Sequence, residues 1–348
     1  SKEVATNAVS TRFLASRIFN QLRCWFSYAL SVFGVVRVRH LPTFVSVEPA
    51  NFCQLRCPEC PVGTASRLSP LASSPNRLMT MELFHRILDD VKEHAHTMQF
   101  YFQGEPLLNK QLPEMIARAH QAGLYTIVST NAQALNRSMA EALVKSGLSR
   151  IIVSIDGFSE ESYATYRVGG SLHRALEGLQ HLHEAKVQYG SSIRIELQVL
   201  RLRTNEHEWQ WIKKHYKKLG ATHLVFKTAQ LYDFEHGHPL MPTNERYSRY
   251  RKTSDGTYVH KKSHQLFSLP FREGSGVGLC LRLWSGCVIT TTGEVLPCCY
   301  DKDHHHSLGN ITTQSLADIF HSKRAHALRH RVLHATSPLP EMCKNCDR

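Results

Sequence analysis

The sequence predicts an α/β protein: a partial (β/α)6 barrel of the TIM type carrying a small cysteine-rich domain at its C-terminal end. Three observations lead there. Six short β-branched runs alternate with amphipathic segments between residues 43 and 228. The 42% hydrophobic and 20% charged composition suits a chain with a buried core. Nine of the ten cysteines fall in two groups, one directly after the first β-branched run and one beyond residue 279.

Residues 1–42 read as an N-terminal helical extension. Its apolar stretch Cys24 to Val36 has 13 residues, too few for a bilayer that needs roughly 20. Arg12, Arg17, Arg23, Arg37 and Arg39 surround it. A helix packed on the outside of the barrel is the favoured reading; a helix lying on a membrane surface is the alternative. The first residues lack a basic stretch followed by an unbroken apolar core and a cleavage site, so a cytoplasmic protein is expected, peripheral to the membrane on the alternative reading.

The barrel is read over 43–230. Its strand signals are TFVSVEP at 43, MQFYFQ at 98, YTIVST at 125, RIIVSI at 150, RIELQVL at 194 and THLVFKT at 222. Between them, segments such as those from Met81, Glu114, Ala142 and His207 show the 3.6-residue spacing of helices, several closing on a glycine. This alternation demands parallel βαβ units, with cofactor chemistry at the C-terminal ends of the strands. Residues 231–278 lack periodicity and read as a bridge that covers substrate; residues 279–348 form the cysteine-rich domain.

A net charge of +13 admits an anionic partner such as a phosphate-bearing substrate, nucleic acid or an acidic membrane, but the charges are scattered and equally describe a basic surface. The ten cysteines do not spread like the disulfides of a short secreted domain.

Cys53, Cys57 and Cys60, on the loop after the first strand, are the strongest signal. Thiolates are the usual ligands of iron–sulfur clusters. Three of them leave one iron of a [4Fe–4S] cubane open, and an open iron is a reaction site. The competing readings are zinc completed by a histidine, a disulfide, or plain buried thiols.

The CxxxCxxC loop, Gln103-Gly104-Glu105-Pro106 after strand two, Ser129-Thr130-Asn131 after strand three and Ser154-Ile155-Asp156-Gly157 after strand four together resemble the radical S-adenosylmethionine (SAM) superfamily over residues 43–228. The resemblance implies that SAM chelates the open iron and is cleaved reductively to a 5′-deoxyadenosyl radical that abstracts a substrate hydrogen, with electrons from a low-potential donor such as flavodoxin or ferredoxin. It further implies that Glu105, framed by Gly104, accepts from the SAM ammonium, that Ser129, Asn131 and Ser154 meet the ribose or methionine part, and that Arg167 pairs with the SAM carboxylate. Gln103 departs from the family's glycine at that position. Strand-end capping is the alternative role for the serines and Asn131.

The second group resembles the SPASM and twitch extensions of the same superfamily: Cys280, then Gly293 in a hairpin turn, Cys298, and Cys343-Lys-Asn-Cys346. No further closely spaced cysteines lie between 299 and 343, so one closed auxiliary [4Fe–4S] cluster on Cys280, Cys298, Cys343 and Cys346 is expected, with zinc as the alternative. A module of this size is expected to use the metal centre as its core. Cys287 and Cys299 are then spare; either could return a hydrogen atom to a substrate radical. The run His304 to His306 reads as a solvated loop.

The function expected is an oxidative modification, a dehydrogenation or cross-link, of a peptide or small molecule, with the auxiliary cluster taking an electron. Residues 1–42 are too few for a leader-binding winged helix, which weighs against peptides. A radical epimerase with a cysteine donor and a non-catalytic iron–sulfur or zinc module binding RNA or membrane are the alternatives.

Overall fold

The computed structural model describes residues 13–64, 77–261, 280–334, 339–343 and 346. Each expected β-branched run forms a strand: β1 Phe44–Val47, β2 Thr97–Phe100, β3 Tyr125–Thr130, β4 Arg150–Ser154, β5 Arg194–Arg201 and β6 His223–Thr228. They pair in parallel in sequence order, as right-handed crossovers require. The crossover helices Met81–Val91, Arg137–Lys145 and Leu172–Gln188 begin where Thr80, Asn136 and Ser171 accept from the third backbone N–H beyond. The helix expected from His207 is shorter, Trp209–His215, because the preceding turn is a 3₁₀ segment whose Asn205 donates to Asp156 O and Leu200 O.

Period-two alternation divides the strands. Val45, Val47, Met98, Phe100, Val128, Ile151, Val153, Ile195 and Leu197 pack against the helices in the main core. The opposite face carries Ser46, Gln99, Ile127, Arg150 and Arg194 at one level, and Ser129, Ile152 and Glu196 at the next toward the C-terminal ends. A packed TIM interior is filled by branched apolar residues; this polar lining is that of a lumen.

Past the bridge, β9 Gly286–Ile289 pairs in parallel with the free edge of β1, followed antiparallel by β10 Glu294–Leu296 and β11 Gly309–Asn310, giving nine strands in one sheet among the described residues. Gly286 makes the pairing possible: a Cβ there would stand 2.7 Å from the Phe44 ring. The expected hairpin turn is present, with Gly293 at φ +81°. One expectation is corrected. The C-terminal segment does not depend on a metal for its core, since Trp284, Ile289, Val295, Ile319 and Leu333 join the main apolar core of the barrel.

The described part of the bridge closes over the cysteine loop. It contains a hairpin of β7 Tyr250–Lys252 and β8 Tyr258–His260, and Leu231, Leu240, Met241 and Tyr250 form a second core with Leu55 and Cys57. Residues 262–279 of the bridge lie outside the described residues. The extension forms α1, Leu14–Val32, against the outside of the barrel. Among the described residues no helix is long and apolar enough to cross a membrane.

Candidate active site

The chain leaves β1 into the cysteine loop, which packs on the loop after β2. Glu105 N donates to Phe52 O at 2.9 Å, and a Cβ on Gly104 would stand 2.2 Å from Ala50 O and 2.6 Å from Phe52 N. Gly104 thus serves close backbone approach. Gly63, on the turn after Cys60, does the same: its Cβ would lie 2.5 Å from Cys57 O. Cys53, Cys57 and Cys60 are all free thiols within electrostatic reach of one another. Burial, with Glu105, Cys60 and Cys57 adding, pushes the Cys53 thiol up to about 12. A metal that displaces the protons is what makes such thiols ligands.

Among the described residues no three His, Cys, Asp or Glu side chains converge on a point that a single ion would fill. A cubane takes one thiolate on each iron and not three at one point, and Cys53, Cys57 and Cys60 are three free thiols on one loop.

Glu105 is almost fully buried. It accepts from Thr130 Oγ1 at 2.6 Å, Asn131 N at 2.8 Å and Leu107 N at 3.2 Å. A carboxylate has about four acceptor sites, so one remains for an incoming ammonium. Asn131 Nδ2 donates to Cys53 Sγ at 3.3 Å, and its Oδ1 accepts from Gln54 Nε2 and Gln133 N. This side chain braces the cysteine loop. Ser129 lies on the lumen face, half-buried. Ser154 accepts from Gln198 Nε2 at 3.5 Å.

Arg167 is engaged elsewhere than expected: Nε and Nη2 donate to Asp156 Oδ2 at 2.7 and 2.5 Å. Asp156, fully buried, also accepts from Leu200 N at 2.6 Å. The arginine stands beside Cys57, whose thiolate it favours against burial. Its guanidinium is committed to the fold, and a carboxylate partner would have to share it with Asp156.

In the second group, Cys280 is within electrostatic reach of both Cys298 and Cys343, and Cys343 of Cys346. The four cysteines expected to hold an auxiliary cluster are therefore neighbours. The two spare cysteines separate. Cys287 pairs in register with Val45 on the helix-facing side of the sheet and is buried against Arg329. It is cut off from the lumen by its own strand, and the hydrogen-donor reading of Cys287 is corrected. Cys299 reaches the interior near Tyr101, yet Arg282 Nη1 donates to its sulfur at 3.0 Å. That contact favours thiolate over the S–H a donor needs.

Three lumen residues escaped the sequence reading. Glu48, at the end of β1, accepts from Thr291 N at 3.3 Å and is buried. Burial raises it to about 7, opposed by Thr291 N–H, His304 and Lys302. Lys302 lies within electrostatic reach of Cys299, Cys60, Glu48 and Cys298, while burial pushes its ammonium down. Tyr101 lies near Arg150 and Glu196, which pair at 2.6 Å. A signal existed: Ser46 and Glu48 alternate with valines in a parallel strand that should be apolar on both faces. The histidine run is also corrected, since His304 is half-buried and bonded to Glu294 at 2.8 Å.

Comparison with known proteins agrees with this geometry. The family model of the radical SAM superfamily matches residues 47–195, and that of the SPASM iron–sulfur cluster-binding domain matches residues 280–347. PqqA peptide cyclase of Granulibacter bethesdensis is 26% identical over 316 residues, 88% of this chain and 80% of its own. Fe-coproporphyrin III synthase of Methanosarcina barkeri is 30% identical over 149 residues, 43% of this chain and 36% of its own. The fold is that of Streptococcus suis SuiB bound to its precursor peptide SuiA, with TM-score 0.60 at 13% identity over 92% of this chain and 73% of that one. The chain belongs to the radical SAM superfamily with a SPASM domain, and is an enzyme whose cofactors are SAM, the [4Fe–4S] cluster that binds it and an auxiliary iron–sulfur cluster.

Proposed function

We propose that this enzyme oxidises a C–H bond of a peptide, by dehydrogenation or cross-linking, with Cys53, Cys57 and Cys60 holding the SAM cluster and Cys280, Cys298, Cys343 and Cys346 holding one auxiliary [4Fe–4S] cluster. The observation that carries the reading is Lys302, which lies within electrostatic reach of Cys60 and of Cys298 and Cys299. That proximity supports one substrate space addressed by both cysteine groups. When bound, the cofactors supply a radical that removes a substrate hydrogen and an acceptor for the electron left behind.

The protein's part is to hold and to take the proton. Glu105 keeps one acceptor site beyond its three donors, and Asn131 fixes Cys53 by a hydrogen bond. Glu48, a buried carboxyl near neutrality next to Lys302, suits the base that collects the proton when the substrate radical is oxidised. The described bridge, packed on the cysteine loop through the Tyr250 core, excludes water from the radical. Peptide is favoured over other small molecules because PqqA peptide cyclase is similar along most of its length and SuiB, of the same fold, binds a precursor peptide.

The test is the anaerobically reconstituted protein with a low-potential donor such as flavodoxin or dithionite, and SAM. Formation of 5′-deoxyadenosine and about eight irons per chain are expected for two cubanes. Cys53→Ala should abolish SAM cleavage, while Cys298→Ala should retain it and lose the oxidised product. Absence of 5′-deoxyadenosine, or about four irons with stoichiometric zinc, would sink the reading.

A further inference from the structure

Helix α1 is turned inside out. The stripe it presents to the barrel is Arg17, Asn20, Cys24, Ser27 and Ser31, all buried, whereas Ile18, Phe19, Leu22, Trp25 and Phe26 face outward, Phe26 at 64% exposure. A surface helix of a globular protein normally does the reverse.

The polar stripe is a set of specific anchors. Arg17 donates to Lys92 O and to Ala122 O and Gly123 O, at the C-terminal ends of two barrel helices, where a cation is favoured. Asn20 makes a paired contact with Leu41 and donates to His94 O. The helix is therefore held by hydrogen bonds, and its apolar face is left over. The face continues along the extended segment that follows, where Phe33 is 75% exposed.

The rim decides what covers it. An open groove of about 590 Å³ beside the helix is lined by Leu22, Phe26 and Leu30 together with Arg23, Arg37 and Arg39. All three arginines are exposed, and residues 13–47 contain no Asp or Glu. Two copies meeting across this face would set arginines against arginines. An anionic lipid surface instead meets the arginines at its headgroups and the aromatic face at the acyl boundary. A 19-residue helix is about 28 Å long, and it would lie flat.

We propose that α1 and the extended segment after it form a monotopic docking surface for an anionic lipid bilayer, seating the enzyme on the membrane with the end of the barrel that α1 covers. The proposal is independent of the reaction assigned to the lumen. The full reconstituted chain is tested by flotation with phosphatidylcholine vesicles, with and without phosphatidylglycerol as about a third of the lipid. Flotation with anionic vesicles, weakened by high salt, is expected.

The F19S/F26S variant should lower partitioning roughly a hundredfold, about tenfold for each phenylalanine withdrawn from the interface, while forming 5′-deoxyadenosine at the wild-type rate. Equal flotation with neutral vesicles would overturn the lipid-charge assignment. A wild-type chain that stays with the buffer would overturn the proposal, as would a dimer in sedimentation that F19S/F26S makes monomeric. Lost flotation accompanied by lost SAM cleavage means the variant is misfolded; the Arg37→Gln/Arg39→Gln pair, on an exposed segment, then decides by whether anionic flotation falls.

Discussion

Replacing Glu105 by Gln separates a SAM contact from a structural keystone. The carboxylate receives three donors: Thr130 O–H and Leu107 N–H on one oxygen, Asn131 N–H on the other. A glutamine offers one oxygen. In either orientation its NH₂ faces an N–H or O–H that was a donor, so a charge-assisted bond worth about 1.5–3 kcal/mol is lost and a buried donor is left without an acceptor at about 1–3 kcal/mol. The neutral amide avoids the burial that raises the Glu105 carboxyl, so the net loss is about 2–3 kcal/mol, or roughly 3–4 °C in Tm for a chain of this length. The assay is thermal unfolding without SAM or cluster, compared with Thr130→Ala, which removes one donor and should cost about 1 kcal/mol. A Glu105→Gln protein with wild-type melting and only weaker SAM binding would refute the structural role.

Glu48, raised by burial to about 7 from an ordinary 4.5, favours the fold when protonated; stability from it is full below 4.5 and is lost as pH rises through about 7. The interval corresponds to roughly 3 kcal/mol at most, so Glu48→Gln should flatten the pH dependence of unfolding between those values, with Lys302 and His304 the charges facing it. Asn131→Leu removes the hydrogen bond to Cys53 Sγ and should make the reduction potential of the SAM cluster more negative, read by redox titration with paramagnetic resonance; an unchanged potential would contradict the brace. Gly104→Ala forces a Cβ onto Ala50 O, and a drop in Tm together with loss of SAM cleavage is expected, whereas wild-type melting would show that the loop can yield.

The strands were legible because β-branched runs and turn residues set them locally, and all six appear where the pattern places them. The cysteine groups were legible because thiols at such spacing have few other uses. Roles that depend on partners distant in sequence were not. Arg167 reads as a cation for a ligand until Asp156 is seen to hold it. Cys287 reads as a spare thiol until its register with Val45 turns it from the lumen. Helix α1 reads as an outer packing helix, and only the hydrogen bonds of Arg17 and Asn20 show which side packs.

The β9–β1 pairing joins the segments that carry two cysteine groups more than 200 positions apart into one sheet. The cysteine loop leaves the C-terminal end of β1, and Cys280 precedes the short helix Leu281–Ser285 that enters the parallel strand β9 at its other end. Four paired residues, three rises of about 3.3 Å, set roughly 10 Å of rigid strand between those ends. Those two ends are held apart by backbone hydrogen bonds. Gly286, where any side chain would strike Phe44, is what lets the two strands approach at that end. Lys302 lies within electrostatic reach of cysteines of both groups.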